Sequence, residues 1–423
     1  NVVPPGHMLC WENNHLQQAA FFQLRLGESR ADAREIPHRI RQLIAEAALR
    51  QTVADVPVGV FLSGGLDSST IVACLACAGI RPQTFAVGFR ELIDERPYAR
   101  AVAKRYGSEH HEIELAVDVA AMMERMAEIL DEPFADSSCI PCYLLAEFAR
   151  QHVKVILTGD GGDELFGGYN WYEWLRWSEE LPTDALSQWR WLTAAAWHKM
   201  RRYFGAPPLP NRSSPAFLRH LARAKQRWPD LWRRHLALAT SLFEDRSRLW
   251  GNKRHESADA ALAAWQPSDA CKGLDRAVHF DVTCYLSGDL LVKVDRTSMA
   301  HGLEVRAPFL DPALASYVWS LPAEMRFGGV STKHLLRLAC ADLWPEEVRQ
   351  RGKQGFGAPL AAWIERTDVN SLWLRIMRSS SPLRAILPGA DAWVRTPQQR
   401  WTILTLGLWL ERRTVCLRRL SQS

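Results

Sequence analysis

No apolar run in this sequence is long enough to span a bilayer, and no basic segment followed by an apolar one opens it. A helical membrane protein is therefore not the expectation. Cysteine is sparse and odd in number, nine in 423 residues. That argues against a disulfide framework and for free thiols in a reducing, cytoplasmic setting. Cys74/Cys77 and Cys139/Cys142 have Cys-x-x-Cys spacing, but no histidine or further cysteine stands close enough to complete a zinc site. Both pairs are expected on apolar helix faces as buried thiols. The excess of one sign of charge is also small. The formal net charge of +5 suits a nucleotide-binding enzyme as readily as a nucleic-acid binder and decides nothing alone. What is abundant is apolar residues, at 47% of the chain with a mean hydropathy of -0.19. That is enough for large cores and for two or three domains.

The chain is organised around Val58-Gly59-Val60-Phe61-Leu62-Ser63-Gly64-Gly65-Leu66-Asp67-Ser68-Ser69. A β-branched apolar run predicts a buried strand, two glycines a tight turn, and Leu66 to about Ala78 a helix. Ser68 and Ser69 fall in the first helical turn, beside unpaired backbone N–H groups and the positive end of the helix dipole. This is a phosphate site. It lacks the lysine of the Gly-x-x-x-x-Gly-Lys-Ser/Thr loop and carries Asp67 instead. A carboxylate in a phosphate nest calls for a divalent cation between them, magnesium above all.

The rest of the chain supports that reading in order. Residues 1–30 predict short strands or a linker. A helix opened by Pro37 carries Ile40, Leu43, Ile44 and Ala47 on one face. Strands at 84–89, 109–115 and 153–158 alternate with helices near 94–106, 118–130 and 141–152, which predicts an α/β fold with a mainly parallel sheet. Adjacent His110 and His111 take opposite faces of their strand and make a poor shared metal site. The third strand runs into Gly159-Asp160-Gly161-Gly162-Asp163-Glu164-Leu165-Phe166-Gly167-Gly168-Tyr169, with five glycines and three acids in eleven residues. Ligands gather at the carboxyl ends of such strands, so this loop reads as a second cation holder facing Asp67, led by Asp163. From 171 to about 280 the chain turns rich in Trp and Arg interspersed with acids. A helical lobe is the expectation, rather than a base-stacking nucleic-acid surface. The remaining signals are Lys293, Asp295 and Arg296, then Glu304 and Arg306 ahead of Pro308. Lys333 opens a helix where an acid is more usual, and Lys353-Gln354-Gly355-Phe356-Gly357 forms a third cationic patch.

Taken together, these blocks carry a resemblance. Ser63-Gly64-Gly65-Leu66-Asp67-Ser68 is similar to the pyrophosphatase loop of the ATP-pyrophosphatase ligases. With the 159–169 loop, Glu304-Val305-Arg306-Ala307-Pro308-Phe309-Leu310-Asp311 and Ser331-Thr332-Lys333, the chain from about Pro4 to Trp363 resembles the synthetase domain of the glutamine-hydrolysing asparagine synthetase family. The resemblance implies a parallel-sheet ATP-pyrophosphatase core over 31–170, a helical lobe over 171–280, and a helical remainder over 281–423 that returns residues to the site. It implies a ligase that uses ATP and Mg2+ to activate a small-molecule or peptide carboxylate as an acyl-adenylate, which ammonia or an amine then attacks. By the same match Asp67 and Asp163 hold the magnesium. Ser63, Gly65 and Ser68 cradle the pyrophosphate, Leu62, Val87 and Gly88 line the adenosine pocket, and Gly64 and Gly159 complete the ATP-binding set. Lys333, Asp160, Glu304 and Arg306 are the candidate catalytic residues. Asp160 stands where the asparagine-forming enzymes carry Glu. Relatives on the same core close β-lactam rings or the isopeptide ring of lasso peptides, so a macrocyclase is the alternative activity and a nucleotide-binding scaffold the alternative class. Residues 1–30 resemble the tail of a glutaminase domain. Two expectations stay open, that this domain has been removed from the chain or that the enzyme takes its amine from elsewhere, and oligomer formation is open as well.

Overall fold

A computed structural model describes residues 3–23, 27, 29, 31–89, 94–180, 224–227, 230–231, 234–235, 271, 273–327, 332–352 and 355–420. The chain opens with an antiparallel hairpin, β1 (His7–Glu12) and β2 (His15–Ala20), turned by Asn13 and Asn14, both at positive φ. Asparagine tolerates that region better than most residues, and a two-residue turn of this hand suits the strand twist. Met8, Leu9, Trp11 and Leu16 are exposed on it.

Helix α1 (Ile36–Arg50) has proline in its first turn and buries Ile40, Leu43, Ile44 and Ala47 at the spacing read from sequence. It leads into the sheet. β3 (Val58–Phe61), β4 (Gln83–Gly88), β5 (His110–Glu114), β6 (Val155–Leu157) and β7 (Glu304–Arg306) lie in the order β5-β4-β3-β6-β7, every neighbouring pair parallel. The crossovers are α2 (Leu66–Cys77) between β3 and β4, α3 (Arg96–Tyr106) between β4 and β5, and α4 (Val119–Ile129) with α5 (Cys139–Arg150) between β5 and β6. Asp118 caps α4, its carboxylate accepting from the Ala121 N–H at 3.0 Å.

Side-chain alternation along the strands divides two cores. Val60, Leu62, Ala86 and Leu157 pack with α1, α2, Trp319 and Trp344. Phe85, Val87 and Ile156 pack with α5, Trp363 and Trp401. A sheet covered on both faces needs apolar residues at both parities, which is why the strands read as continuous apolar runs. β5 is an edge strand, and its polar residues are used locally. The His110 ring bonds Thr84 and Glu112, while His111 stacks on Phe85 at 5.1 Å.

After β6 come α6 (Gly162–Phe166) and α7 (Asn170–Glu180). Most of the expected Trp/Arg lobe, including Trp189, Trp191, Trp197, Trp228 and Trp232, lies outside the described residues. The chain returns in α8 (Gly273–Phe280), which passes without a break into a π-helix over Asp281–Leu290 and then α9 (Leu291–Met299). The π-helix has no counterpart in the sequence reading. Helices α10 (Pro312–Ser320) and α11 (His334–Cys340) follow β7, and α12 (Pro397–Leu420) runs across α4. No described helix is long and apolar enough to cross a membrane. The cysteine expectation needs correction. Cys74 and Cys139 are buried, but Cys77 is exposed because the short helix α2 ends there, and Cys142 lies on the wall of the central cleft.

Candidate active site

The carboxyl ends of β3, β4 and β6 open into a cleft of about 660 Å3. Ser63, Gly64 and Gly65 form its floor. Gly64 sits at φ +66, and a Cβ there would come 2.6–2.7 Å from the Tyr98 and Ala99 backbone, so only glycine fits. The Ser63 hydroxyl accepts from the Gly65 N–H at 3.2 Å and lies 3.4 Å from the Ser68 hydroxyl. The two glycine-rich loops meet closely. A Cβ at Gly159 would stand 2.8 Å from Asp67 Cβ, and one at Gly162 would stand 2.7 Å from the Asp67 carboxylate.

Lys333 reaches the same point from the other side of the chain. It is 4% exposed and at positive φ, at the N-terminal boundary of α11. Its ammonium holds Asp163 Oδ1 at 2.7 Å and bonds Asp67 Oδ2 as well. A Cβ on Gly168 would collide with the Asp163 carboxylate and the Lys333 stem. Burial disfavours the ammonium, but Asp163 and Asp67 outweigh it and leave the Lys333 pKa above its ordinary value. Asp160, accepting from the Thr158 hydroxyl at 3.1 Å, is pushed up by burial and by the neighbouring carboxylates. Glu164, also buried, is pushed up to about 7 and takes a 2.5 Å hydrogen bond from Tyr169 Oη.

The structure thus brings Leu62, Ser63, Gly64, Gly65, Asp67, Ser68, Val87, Gly159, Asp160, Asp163 and Lys333 to one cleft. It does not bring the other three there. On β7 it is Val305 that faces the cleft, so alternation turns Glu304 and Arg306 to the other side. There Arg306 pairs with Glu304 at 2.7 Å and donates to the Gln51 and Val53 carbonyls at 2.8 Å, fastening β7 to the end of α1. Gly88 packs under the Arg96 guanidinium instead of lining the cleft. Lys353 lies outside the described residues.

Two further cleft residues, Asp136 and Arg351, were missed by the motif reading, and Lys293, singled out there without a role, lies in a buried ion network. Lys293, 6% exposed, donates to Asp136 Oδ2 at 2.6 Å and Ser138 Oγ at 2.8 Å. Its place in a charged block was a signal; Asp136 gave none. Arg351 donates to the Ser63 carbonyl at 3.0 Å, pairs with Glu95 and stacks over Tyr98 at 4.6 Å. One guanidinium therefore ties the phosphate loop to the head of α3. Arg351→Ala is expected to lower pyrophosphate affinity about tenfold while AMP affinity stays unchanged, the scale of one charge-assisted hydrogen bond. Competition of pyrophosphate and AMP against ATP measures this. An equal loss for both ligands would make Arg351 a general fold contact.

Asp67 and Asp163 offer hard oxygen donors converging on a single cation position. Among the described residues no group of three or more His, Cys, Asp or Glu is arranged to hold a metal alone. Asp67 and Asp163 by themselves could hold a magnesium ion, which takes one or two carboxylates and completes its shell with phosphate and water.

The asparagine synthase family model matches residues 39–411. A Mycobacterium tuberculosis (strain H37Rv) protein whose name, asparagine synthetase [glutamine-hydrolyzing], is itself provisional is 31% identical over 88% of this chain and 57% of its own length. Asparagine synthetase [glutamine-hydrolyzing] 1 of Bacillus subtilis is 29% identical over 96% of this chain and 64% of its own. Amidase chry2 of Gibberella zeae is 27% identical over 85% and 59% respectively. The chain therefore spans roughly three-fifths of the length of these curated relatives. With a matching family model over most of its length and the two glycine-rich loops joined at one cleft, this chain belongs to the asparagine synthase family.

Proposed function

We propose that this chain is an ATP-dependent amide ligase that activates a carboxylate as its acyl-adenylate. The observation that carries the reading is the convergence of Asp67, Asp163 and Lys333 beside the Ser63–Ser68 loop. A magnesium ion bound there would neutralise phosphate charge and orient the α-phosphate for in-line attack. Asp67 and Asp163 hold that ion. Backbone N–H groups at the start of α2, with the Ser63 and Ser68 hydroxyls, hold the β- and γ-phosphates. Leu62 and Val87, at the ends of β3 and β4, wall the adenosine. A substrate carboxylate oxygen bonds to the α-phosphorus, the α–β phosphoanhydride bond breaks, and pyrophosphate leaves with Lys333 countering its charge. Ammonia or an amine then bonds the acyl carbon, AMP leaves with the electron pair of the acyl–oxygen bond, and an amine proton is lost to a carboxylate or to water. Family membership supports the amide-forming chemistry.

Incubation with ATP, magnesium, a panel of acids and ammonium is expected to give AMP and pyrophosphate with particular acids only. ADP as the nucleotide product would overturn the adenylate mechanism. No turnover with any acid would favour the scaffold reading.

A further inference from the structure

Beside the phosphate site the cleft wall changes from carboxylates to rings. Tyr169 and Trp171 stack face to face, centroids 4.0 Å apart and planes 13° from parallel. Tyr285, from the π-helix, stands edge-on to both at 5.9 and 6.0 Å. All three are partly open to the cleft, and Trp174 joins them one turn further along α7. Their place follows from topology. The proposed adenosine wall lies at the ends of β3 and β4, whereas these rings follow β6, on the other side of β3. Tyr169 begins three residues after α6, the helix that carries Asp163. On the ligase reading, a group bound between the phosphate site and these rings would be the acyl half of the adenylate.

Two features fix what such a wall can recognise. First, the polar handles of the stacked pair are spent inside the protein. Trp171 Nε1–H donates to Asp281 Oδ2 at 3.0 Å, Asp281 is held in turn by His235 at 2.8 Å, and the Tyr169 hydroxyl donates to Glu164. What remains for a ligand is ring surface, rigid and apolar. The π-helix is the device that sets Asp281 and Tyr285 at this spacing, and such insertions concentrate at working sites. Second, each described basic side chain of the cleft already has a protein partner. Lys293 holds Asp136, Arg351 holds Glu95, Arg337 donates to the Thr332 and Arg349 carbonyls, and Lys333, bonded to Asp67 and Asp163, is assigned to pyrophosphate once an ion binds. A small amino diacid such as aspartate carries a second carboxylate that needs a cation. This wall gives it rings.

We propose that the acyl subsite takes a carboxylic acid whose neighbouring group is aromatic or bulky and apolar, packed on Trp171, Tyr169 and Tyr285. The proposal rests on the ligase reading. A substrate ring laid edge-on or offset against this wall gains burial plus the geometric preference of aromatic pairs.

The test is acid-dependent exchange of labelled pyrophosphate into ATP. The probes are L-aspartate, L-glutamate, aryl-substituted acids, and short peptides with Phe or Trp beside an acidic residue. Exchange with the aromatic acids is expected at a kcat/KM at least about tenfold above aspartate. Trp171→Ala should raise KM for the aromatic acid about tenfold and leave KM for ATP unchanged, the scale of one lost ring contact. Trp171→Phe, which keeps a ring and drops the indole donor, should recover most of the loss. Tyr285→Leu gives a second variant should Trp171→Ala fail to fold. A preference for aspartate over every aromatic acid would overturn the proposal and leave the ligase reading standing. So would a Trp171→Ala enzyme with unchanged KM for the aromatic acid. Exchange with no acid at all would remove both.

Discussion

Asp163→Asn is expected to lower acid-dependent pyrophosphate release by roughly 10²–10³-fold, with AMP binding preserved. Asp67→Asn should behave alike. Asparagine keeps the size of the side chain and one oxygen, so the collision-free packing around Gly162 and Gly168 survives. What is lost is one of two negative charges that fix a cation against the phosphates, and removing one well-placed charge from a developing anion's environment has effects on this scale. The fold should tolerate either single change. Lys333 is buried, and a buried charge stripped of its partners costs about 3–5 kcal/mol. Here each single variant leaves the ammonium one carboxylate, through either the Asp67 or the Asp163 contact. The double variant removes both and should be markedly less stable than either single one. Pyrophosphate release against magnesium concentration measures the catalytic effect, and thermal unfolding measures the other. Near-normal release by either single variant at low magnesium would dismiss the two carboxylates as a metal site.

How much of this was legible from sequence depends on the range of the signal. The two loops were readable because each is a local exception: glycines and acids directly after an apolar strand, where folding alone gives no reason for them. Lys333 was readable for the same reason, a cation at a helix start. Its geometry was not. Asp67 and Lys333 are 266 positions apart, and no local pattern fixes which ammonium meets which carboxylate. Glu304 and Arg306 show the opposite failure. They belong to a block of the matching order, but a strand sends alternate side chains to opposite faces, and the cleft receives Val305. Asp136 was invisible because its surroundings in sequence are ordinary, and Arg351, two residues before the 353–357 patch, was passed over for Lys353. Each gains its place through a partner, Lys293 and the Ser63 carbonyl, brought in by the fold. The π-helix was invisible too, since no residue type over Asp281–Leu290 marks the change from i→i+4 to i→i+5 bonding.

Lys333→Ala should lose turnover by roughly 10²-fold or more, and the structure adds a second expectation. The sequence reading named this lysine as a candidate catalytic residue and gave the metal to the two carboxylates. In the structure it is buried and bonded to both of them, which on the proposed reading is where the divalent cation would sit. The residue therefore stands in for the metal charge, and without it Asp67 and Asp163 face each other at close range. Their mutual repulsion should lower the melting temperature of Lys333→Ala in chelator. Added magnesium should then raise it by more than it raises that of the parent, because binding stabilises the state that offers the better cation site. On the proposed mechanism the same ammonium would leave the two carboxylates to a bound ion and follow the charge developing on pyrophosphate, a motion that a long single-bonded stem permits. Lys333→Arg should rescue poorly, since a planar guanidinium cannot occupy the place of a compact point charge between two carboxylates. Turnover, ATP affinity, and melting with and without magnesium separate the possibilities. A turnover within about threefold of the parent, with no extra response to magnesium, would reduce Lys333 to a packing residue at the head of α11. Lost turnover together with an enlarged magnesium response would tie the ammonium, the two carboxylates and the ion to one shared position.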